Sequence, residues 1–120
     1  MANPNIVAVT SIYGKSAGLA LGTSGSAIVS NAASSGKIIK INTLTVANID
    51  GTNSADVTAY VNKGGVSNYQ LAWTVAVPAD ATLVLISKDT SIYLEEGDGL
   101  YLYASATLDL QAFCSYEEIS

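Results

Sequence analysis

Short runs rich in Val, Ile, Thr and aromatic residues alternate along this chain with clusters of Gly, Asn, Asp and Pro. The runs predict strands, and the clusters between them predict tight turns. No segment of useful length has the period of an amphipathic helix. The predicted strands are residues 6–13, 18–22, 26–29, 38–47, 55–62, 69–77, 82–86, 91–94, 99–106 and 109–116. We therefore expect an all-β fold, a single antiparallel β-sandwich of jelly-roll type with about eight to ten short strands.

The run 38–47 loses its alternation near Asn42. A β-bulge at Asn42 would return the apolar side chains of this run to one face of the sheet. Those side chains are Ile39, Ile41, Leu44 and Val46.

The run 69–77 predicts an inner face made of Leu71, Trp73, Val75 and Val77. Because burial of an indole ring is worth more than ligand stacking, we expect Trp73 to anchor the core, with a binding platform as the alternative. Pro78 follows the run and can end the strand at a turn.

The segment LEEGDGLYLYASA places Asp98 between two glycines and predicts a tight acidic hairpin. The strand after it would carry Leu100 and Leu102 inward and Tyr101 and Tyr103 outward, or the reverse.

A chain of 120 residues supports one hydrophobic core, so we expect one domain. Residues 37–120 are expected to form the body of the sandwich. Residues 1–36 are expected to add strands or an arm to the same domain, and their segment 16–36 is rich in Ala, Ser and Gly. That segment could be strands, an extended arm or a long loop.

Charged residues make up only 12% of the chain and apolar residues 49%, which favours a protein that packs against neighbours. The net charge is −5, without Arg or His, and the five lysines are scattered. Nucleic acid and anionic membrane surfaces are therefore unexpected partners. The start of the chain lacks the basic region of a signal peptide, and no apolar run is long enough to cross a bilayer, so we expect a soluble protein.

No catalytic residue and no cofactor is predicted, because the chain has no His to act as a base. The alternative is a glycosidase working through Glu95, Glu96 and Asp98, which needs a cleft and a raised pKa. Cys114, the one cysteine, alternates with apolar neighbours and is expected to be a buried core residue, not a reactive thiol.

Oxygen ligands cluster in NIDGTNSAD, where Asp50, Asn53 and Asp56 are weak calcium candidates. An Asp-Gly hairpin explains the same residues without a metal, so no metal site is predicted.

Tyrosine is the one aromatic residue in excess of core needs, with seven copies. Tyrosine is favoured at interfaces, although it also fills strand faces well. The candidate interface residues are Tyr13, Tyr60, Tyr69, Tyr93, Tyr101 and Tyr103.

Three stretches carry a family resemblance: the acidic turn IYLEEGDGL with the YASA that follows, the closing SYEEIS, and the upstream KIIKINTLTVANIDGTNSADVTAYVNKGG. Across most of residues 37–120 the chain resembles small β-sandwich virion structural proteins of marine tailed phages, including those of cyanobacteria. The resemblance implies a virion protein that is made in the host cytoplasm. It brings no catalytic or binding motif.

The role favoured by the resemblance is a capsid decoration or cement protein on the capsid surface, which stabilises the assembled head by binding across capsid subunits. Its partners would be the major capsid protein or other virion proteins, and it would form a homo-oligomer, with a trimer favoured. The alternative is a tail, neck or fibre-associated module that binds a host glycan or another tail protein.

Overall fold

The structure, a computed structural model, describes residues 3–120. Those residues form nine strands and a short 3₁₀ helix, Lys88–Thr90. The strands are β1 (Ile12–Ala20), β2 (Ser26–Ser30), β3 (Ile38–Asn48), β4 (Ala55–Lys63), β5 (Ser67–Val77), β6 (Thr82–Ile86), β7 (Ile92–Leu94), β8 (Gly99–Ala104) and β9 (Leu110–Ile119).

The strands form two antiparallel sheets that pack face to face. The five-stranded sheet has the order β1-β9-β3-β6, with β7 also paired to β3, and the four-stranded sheet has the order β2-β8-β4-β5. The pairs are nested along the chain: β1 pairs with β9, β2 with β8, β3 with β6 and β7, and β4 with β5. If β6 and β7 are counted as one interrupted strand, this is the eight-stranded arrangement of a jelly roll. The predicted all-β sandwich is confirmed.

The core lies between the two sheets and is almost entirely aliphatic. The predicted bulge at Asn42 is confirmed, because the pairing of β3 with β9 shifts register between Ile41 and Thr43. That shift lets one face of β3 stay buried along its whole length. Of the two orientations left open for β8, the structure has the one with Leu100 and Leu102 inward, where both are fully buried.

The prediction for Trp73 is wrong, because its side chain is 62% exposed. The pairing of β4 with β5 shifts register on both sides of Ala59, and the extra residues in β5 change which side chains face inward. Ala72 is buried, whereas its neighbours Leu71 and Trp73, which were predicted to face the core, are exposed. Thr74, at φ 47°, belongs to the bulge, and its N–H donates to Thr58 Oγ1 at 3.1 Å.

Two predicted hairpins are corners between the sheets instead. The Asp50–Gly51 turn connects β3 to β4, and the turn at Asp98 connects β7 to β8; each pair of strands lies in different sheets. The same turn residues suit both geometries, so the local sequence does not distinguish them. The β4–β5 connection is a true hairpin, with Gly64 and Gly65 at φ 60° and 75°.

The predicted strands 6–13 and 18–22 are replaced by one continuous strand. β1 pairs with β9 without a register shift, from Ile12 opposite Ile119 to Ala20 opposite Gln111. The regular pairing with β9 keeps residues 14–17, which separate the two predicted runs, in extended conformation. Residues 6–11 lie outside the sheets.

Candidate interaction surfaces

Three of the candidate tyrosines meet on the outer face of the four-stranded sheet. Tyr60 on β4 lies opposite Tyr101 on β8, and their rings are parallel within 6° at 5.4 Å between centroids. Tyr103 meets Tyr60 edge to face at 6.4 Å. Both geometries are favourable for aromatic pairs, and all three side chains are half-buried. The cluster is therefore a fixed patch of the surface.

Two glycines give the tyrosine rings room to lie close to the backbone. A side chain at Gly25 would collide with the hydroxyl of Tyr60. A Cβ at Gly99 would lie 2.7 Å from Cε1 of Tyr101. The role of Gly25 was not identified from the sequence, because its contact with Tyr60 joins residues that are distant along the chain, whereas Gly99 and Tyr101 lie on the same strand, β8.

The other three candidate tyrosines are exposed and lie apart, on three different strands. Tyr13 is on β1, Tyr69 on β5 and Tyr93 on β7. β1 and β5 are edge strands of their sheets. The structure therefore brings together three of the six predicted interface residues.

Strand β5 carries an exposed apolar surface that the sequence pattern assigned to the core. Leu71 and Trp73 project from it, and Val66 lies exposed in the hairpin before it. Trp73 and Thr74 lie opposite Thr58, which in turn lies opposite Tyr103. Trp73 thus stands on the same outer face as the tyrosine cluster.

The outer face of the five-stranded sheet has a concavity of about 370 Å³. One row of side chains crosses this face in the order Gly18, Phe113, Thr45 and Val84. Phe113 is 55% exposed and Val84 58% exposed. The residues around the concavity include Gly18, Ala20, Thr45, Ala47, Gln111 and Phe113. None of these is charged.

The acidic turn predicted around Asp98 acts as a structural brace. The buried Asp98 carboxylate accepts hydrogen bonds from the N–H groups of Gly64 and Glu95, at 3.0 and 2.9 Å. Lys63 Nζ donates to Asp98 Oδ2 at 2.6 Å and to Glu95 Oε2 at 2.7 Å. These bonds raise the pKa of Lys63, with the Asp98 bond the larger cause. The brace ties the β4–β5 hairpin to the β7–β8 corner.

A second ion-pair group is centred on Glu118 of β9. Glu118 accepts from Lys37 Nζ at 2.9 Å and from Lys15 Nζ at 3.2 Å. The hydrogen bond from Lys37 is the largest cause of the lowered pKa of Glu118. These two ion pairs join β1 and the residue before β3 to the strand between them, β9.

The acidic residues considered for glycosidase chemistry do not have the environment that it requires. The hydrogen bond from Lys63, and then that from Asn3, lowers the pKa of Glu95. A general acid needs the opposite shift. Glu96 Oε2 accepts the N–H of Gly36 at 2.9 Å, and Asp98 is held in the brace.

The calcium candidates are used in local structure. Asp50 Oδ1 accepts the N–H of Thr52 at 2.8 Å, which is the largest cause of its lowered pKa. Asn53 Nδ2 donates to the other oxygen at 3.3 Å. Asp56 lies at the start of β4, where its N–H donates to Ser105 Oγ. Residues 3–120 contain no group of three or more His, Cys, Asp or Glu that could hold a metal ion.

Cys114 is fully buried on the inner face of β9, as predicted. Burial raises the pKa of the Cys114 thiol to about 11. A thiol with this pKa is protonated at neutral pH and is a poor nucleophile.

Within residues 3–120, no helix has the length and apolar character needed to span a membrane. No protein-family model and no curated protein matches the chain.

Two solved structures match the chain. One is described as a Bacillus endospore appendage from "a novel family of disulfide-linked pili"; it is 14% identical, has a TM-score of 0.55, and the match covers 100% of this chain and 96% of that one. The other is a pentameric capsid protein isolated from metagenomic phage sequences, 13% identical, with a TM-score of 0.43, covering 84% of this chain and 60% of that one. At these identities, the first match establishes a shared fold over the whole chain.

Proposed function

We propose that this chain is a structural protein of a tailed-phage particle, and more specifically a decoration protein that binds across capsid subunits. The observation that carries the proposal is the amount of apolar and aromatic surface on the outer faces and edges of the sandwich. Val84, Trp73 and Phe113 are each more than half exposed, in a chain with few charges. Exposed patches of this kind mark surfaces that pack against other proteins.

The fold is consistent with this role, since jelly rolls are common among capsid proteins, although they serve many other functions. The resemblance of residues 37–120 to small phage virion proteins is the reason for proposing that the chain belongs to a phage particle. The buried, protonated Cys114 is unsuited to joining subunits by a disulfide, so subunits of this chain would associate through noncovalent packing.

The mechanism would be linked binding. A protein that binds the assembled shell, and not its separated subunits, stabilises the shell by mass action. Many copies on one particle multiply this effect through avidity. No catalysis is required of the bound chain.

Quantitative mass spectrometry of purified particles tests the proposal by measuring the molar ratio of this chain to the major capsid protein. A ratio near one, or a simple fraction of one, is expected for a protein that covers the shell. A ratio of a few per cent or less would contradict the decoration role and move the chain to the neck, tail or fibre.

A further inference from the structure

The outward position of Trp73 is maintained by a strained backbone. Thr74 follows it with φ 47°, a left-handed conformation that is unusual for a β-branched residue. Backbone strain of this kind persists only where the surrounding structure enforces it, and it is concentrated at functional sites. Here the enforced result is that the largest side chain of the chain points into solvent.

The residues in the same cross-strand row as Trp73 are uncharged, and Asp56 lies in the next row. Thr58 and Tyr103 continue its row across the sheet, and the apolar Leu71 lies two residues before it on β5. Trp is among the residues that most often dominate the energy of a protein interface. The exposed side chains of Trp73 and Leu71, together with the half-buried Tyr103, form a ridge of apolar and aromatic groups above the buried Thr58.

The concavity around Phe113 has the complementary shape on the opposite side of the sandwich. Its base is made of small side chains, since Gly18 and Ala20 on β1 face Thr45 and Ala47 on β3 across β9. A volume of about 370 Å³ is at the lower end of the range for pockets that hold small organic molecules, about 300–1,000 Å³. One aromatic ring therefore fits, with Phe113 available as a stacking partner.

The two features lie on the outer faces of different sheets, so they point in opposite directions. If two copies were related by a two-fold axis, the ridge and the concavity of each copy would both have to face the partner, and their opposite directions prevent this. A contact between them is heterologous, so it leaves one ridge and one concavity free for further copies.

We propose that Trp73 of one copy inserts into the concavity around Phe113 of a second copy, so that copies of this chain associate head to tail. The uncharged ridge and the uncharged concavity match in character, and the concavity matches one ring in size. This inference rests on the proposed structural function and specifies how the subunits contact one another.

Sedimentation velocity over a concentration series tests the contact with two variants. Trp73→Ala removes the ridge residue and leaves the concavity intact. Ala20→Phe fills the concavity from an exposed position and leaves the ridge intact. Each variant should weaken self-association by about tenfold or more, the effect of losing a hot-spot aromatic contact. Val7→Ala, a change at an exposed apolar residue outside the sheets, should associate like the wild type.

The decisive measurement is an equimolar mixture of Trp73→Ala and Ala20→Phe. The intact Trp73 of one variant can enter the intact concavity of the other, so the mixture should form a one-to-one dimer that does not grow. Thermal melts of each variant establish that it is folded before the mixture is scored.

Three results would overturn the proposal. They are a wild-type chain that stays monomeric throughout the series, variants that associate as the wild type does, or a mixture that remains monomeric. If Trp73→Ala instead self-associates normally but loses retention on a neutral polysaccharide column, the indole would belong to a glycan site. Particle mass spectrometry is scored separately, so head-to-tail association by a chain that is scarce in particles would contradict only the decoration role.

Discussion

Strands β3 and β5 make an informative comparison, because each has 11 residues, is rich in apolar side chains and contains a register shift. β3 lies between β9 on one side and β6 and β7 on the other, whereas β5 pairs only with β4. Leu44 of β3 is fully buried, and Trp73 of β5 is mostly exposed. The position of a strand in its sheet therefore decides burial more strongly than its apolar content does.

The bulges in the two strands have opposite effects. In β3 the shift after Ile41 keeps successive apolar residues on the inner face. In β5 the shifts around Ala72 put Leu71 and Trp73 outside and leave a small residue inside. A bulge changes the alternation of a strand, and the buried face is the one that packs against the other sheet.

The largest expected effect is a difference in the free energy of unfolding between a substitution in β3 and one in β5. Leu44→Ala should lower the free energy of unfolding by about 2–5 kcal/mol, because it leaves a cavity in the core. Trp73→Ala should lower it by less than about 1 kcal/mol, because most of the side chain is already in solvent. Chemical denaturation monitored by far-UV circular dichroism gives both values. Equal losses would mean that Trp73 is packed in the core.

A smaller loss is expected at the brace that positions β5. Asp98→Ala should lower the free energy of unfolding by about 2–3 kcal/mol, because it leaves the N–H groups of Gly64 and Glu95 without their acceptor. The control is Glu95→Gln, which alters only the exposed half of the ion pair and should cost less than about 1 kcal/mol. Denaturant melts of the two variants would disagree with this assignment if Glu95→Gln were the more damaging change.

Relief of strain at β5 should give a smaller change of opposite sign. Thr74→Gly removes the steric penalty of φ 47° and keeps the hydrogen bond from the N–H to Thr58. The penalty for a left-handed residue is roughly 1–2 kcal/mol, and the greater freedom of unfolded Gly offsets about half of it. We expect a net gain of about 0.5 kcal/mol in thermal melts. A clear loss would show that the Thr74 side chain itself stabilises the bulge.

The smallest effect is the dependence of stability on pH. Glu118, beside β3, and Glu95, beside the β4–β5 hairpin, have pKa values lowered by lysine hydrogen bonds. Each contributes stability above its ordinary pKa of 4.5, and this stability is lost as the pH falls through the lowered value. The raised pKa of Lys63 contributes stability that is lost as the pH rises above its ordinary value of 10.5.

The melting temperature should therefore be nearly constant between these limits and fall on each side. Glu118→Gln should flatten the acid side more than Glu95→Gln does, because Glu118 is the more buried of the two carboxylates. If the fall in melting temperature at low pH were changed only by Glu95→Gln, the expectation would be wrong, and the acid sensitivity would belong to the ion pair beside the β4–β5 hairpin.

The fold class and most strands could be predicted from the sequence, because a half-buried strand shows its alternation locally. The strand 82–86 has the predicted bounds, and the bulge at Asn42 was visible as a break in phase. The error at Trp73 arose because the register shifts in β5 break the alternation, so that Val77 is buried as predicted while Trp73 is exposed. The corners at Gly51 and Asp98 were misassigned because turn chemistry does not encode which sheet comes next.

The candidate surfaces were predictable only in part. Tyrosine excess identified Tyr60, Tyr101 and Tyr103, which do form a cluster, but gave no indication that Gly25 makes room for it. The concavity combines β1, β3 and β9, whose residues are up to about a hundred positions apart in sequence. No local pattern reports such a combination.

The nested pairing of the strands also sets the order in which the molecule can be built. The β4–β5 hairpin closes over a few residues, whereas β1 must wait for β9, which follows it only after seven other strands. Closing such distant contacts is slow, and unpaired strand edges invite aggregation until it is complete. During synthesis on a ribosome, β1 therefore remains without its partner until β2 to β8 have emerged and β9 follows them.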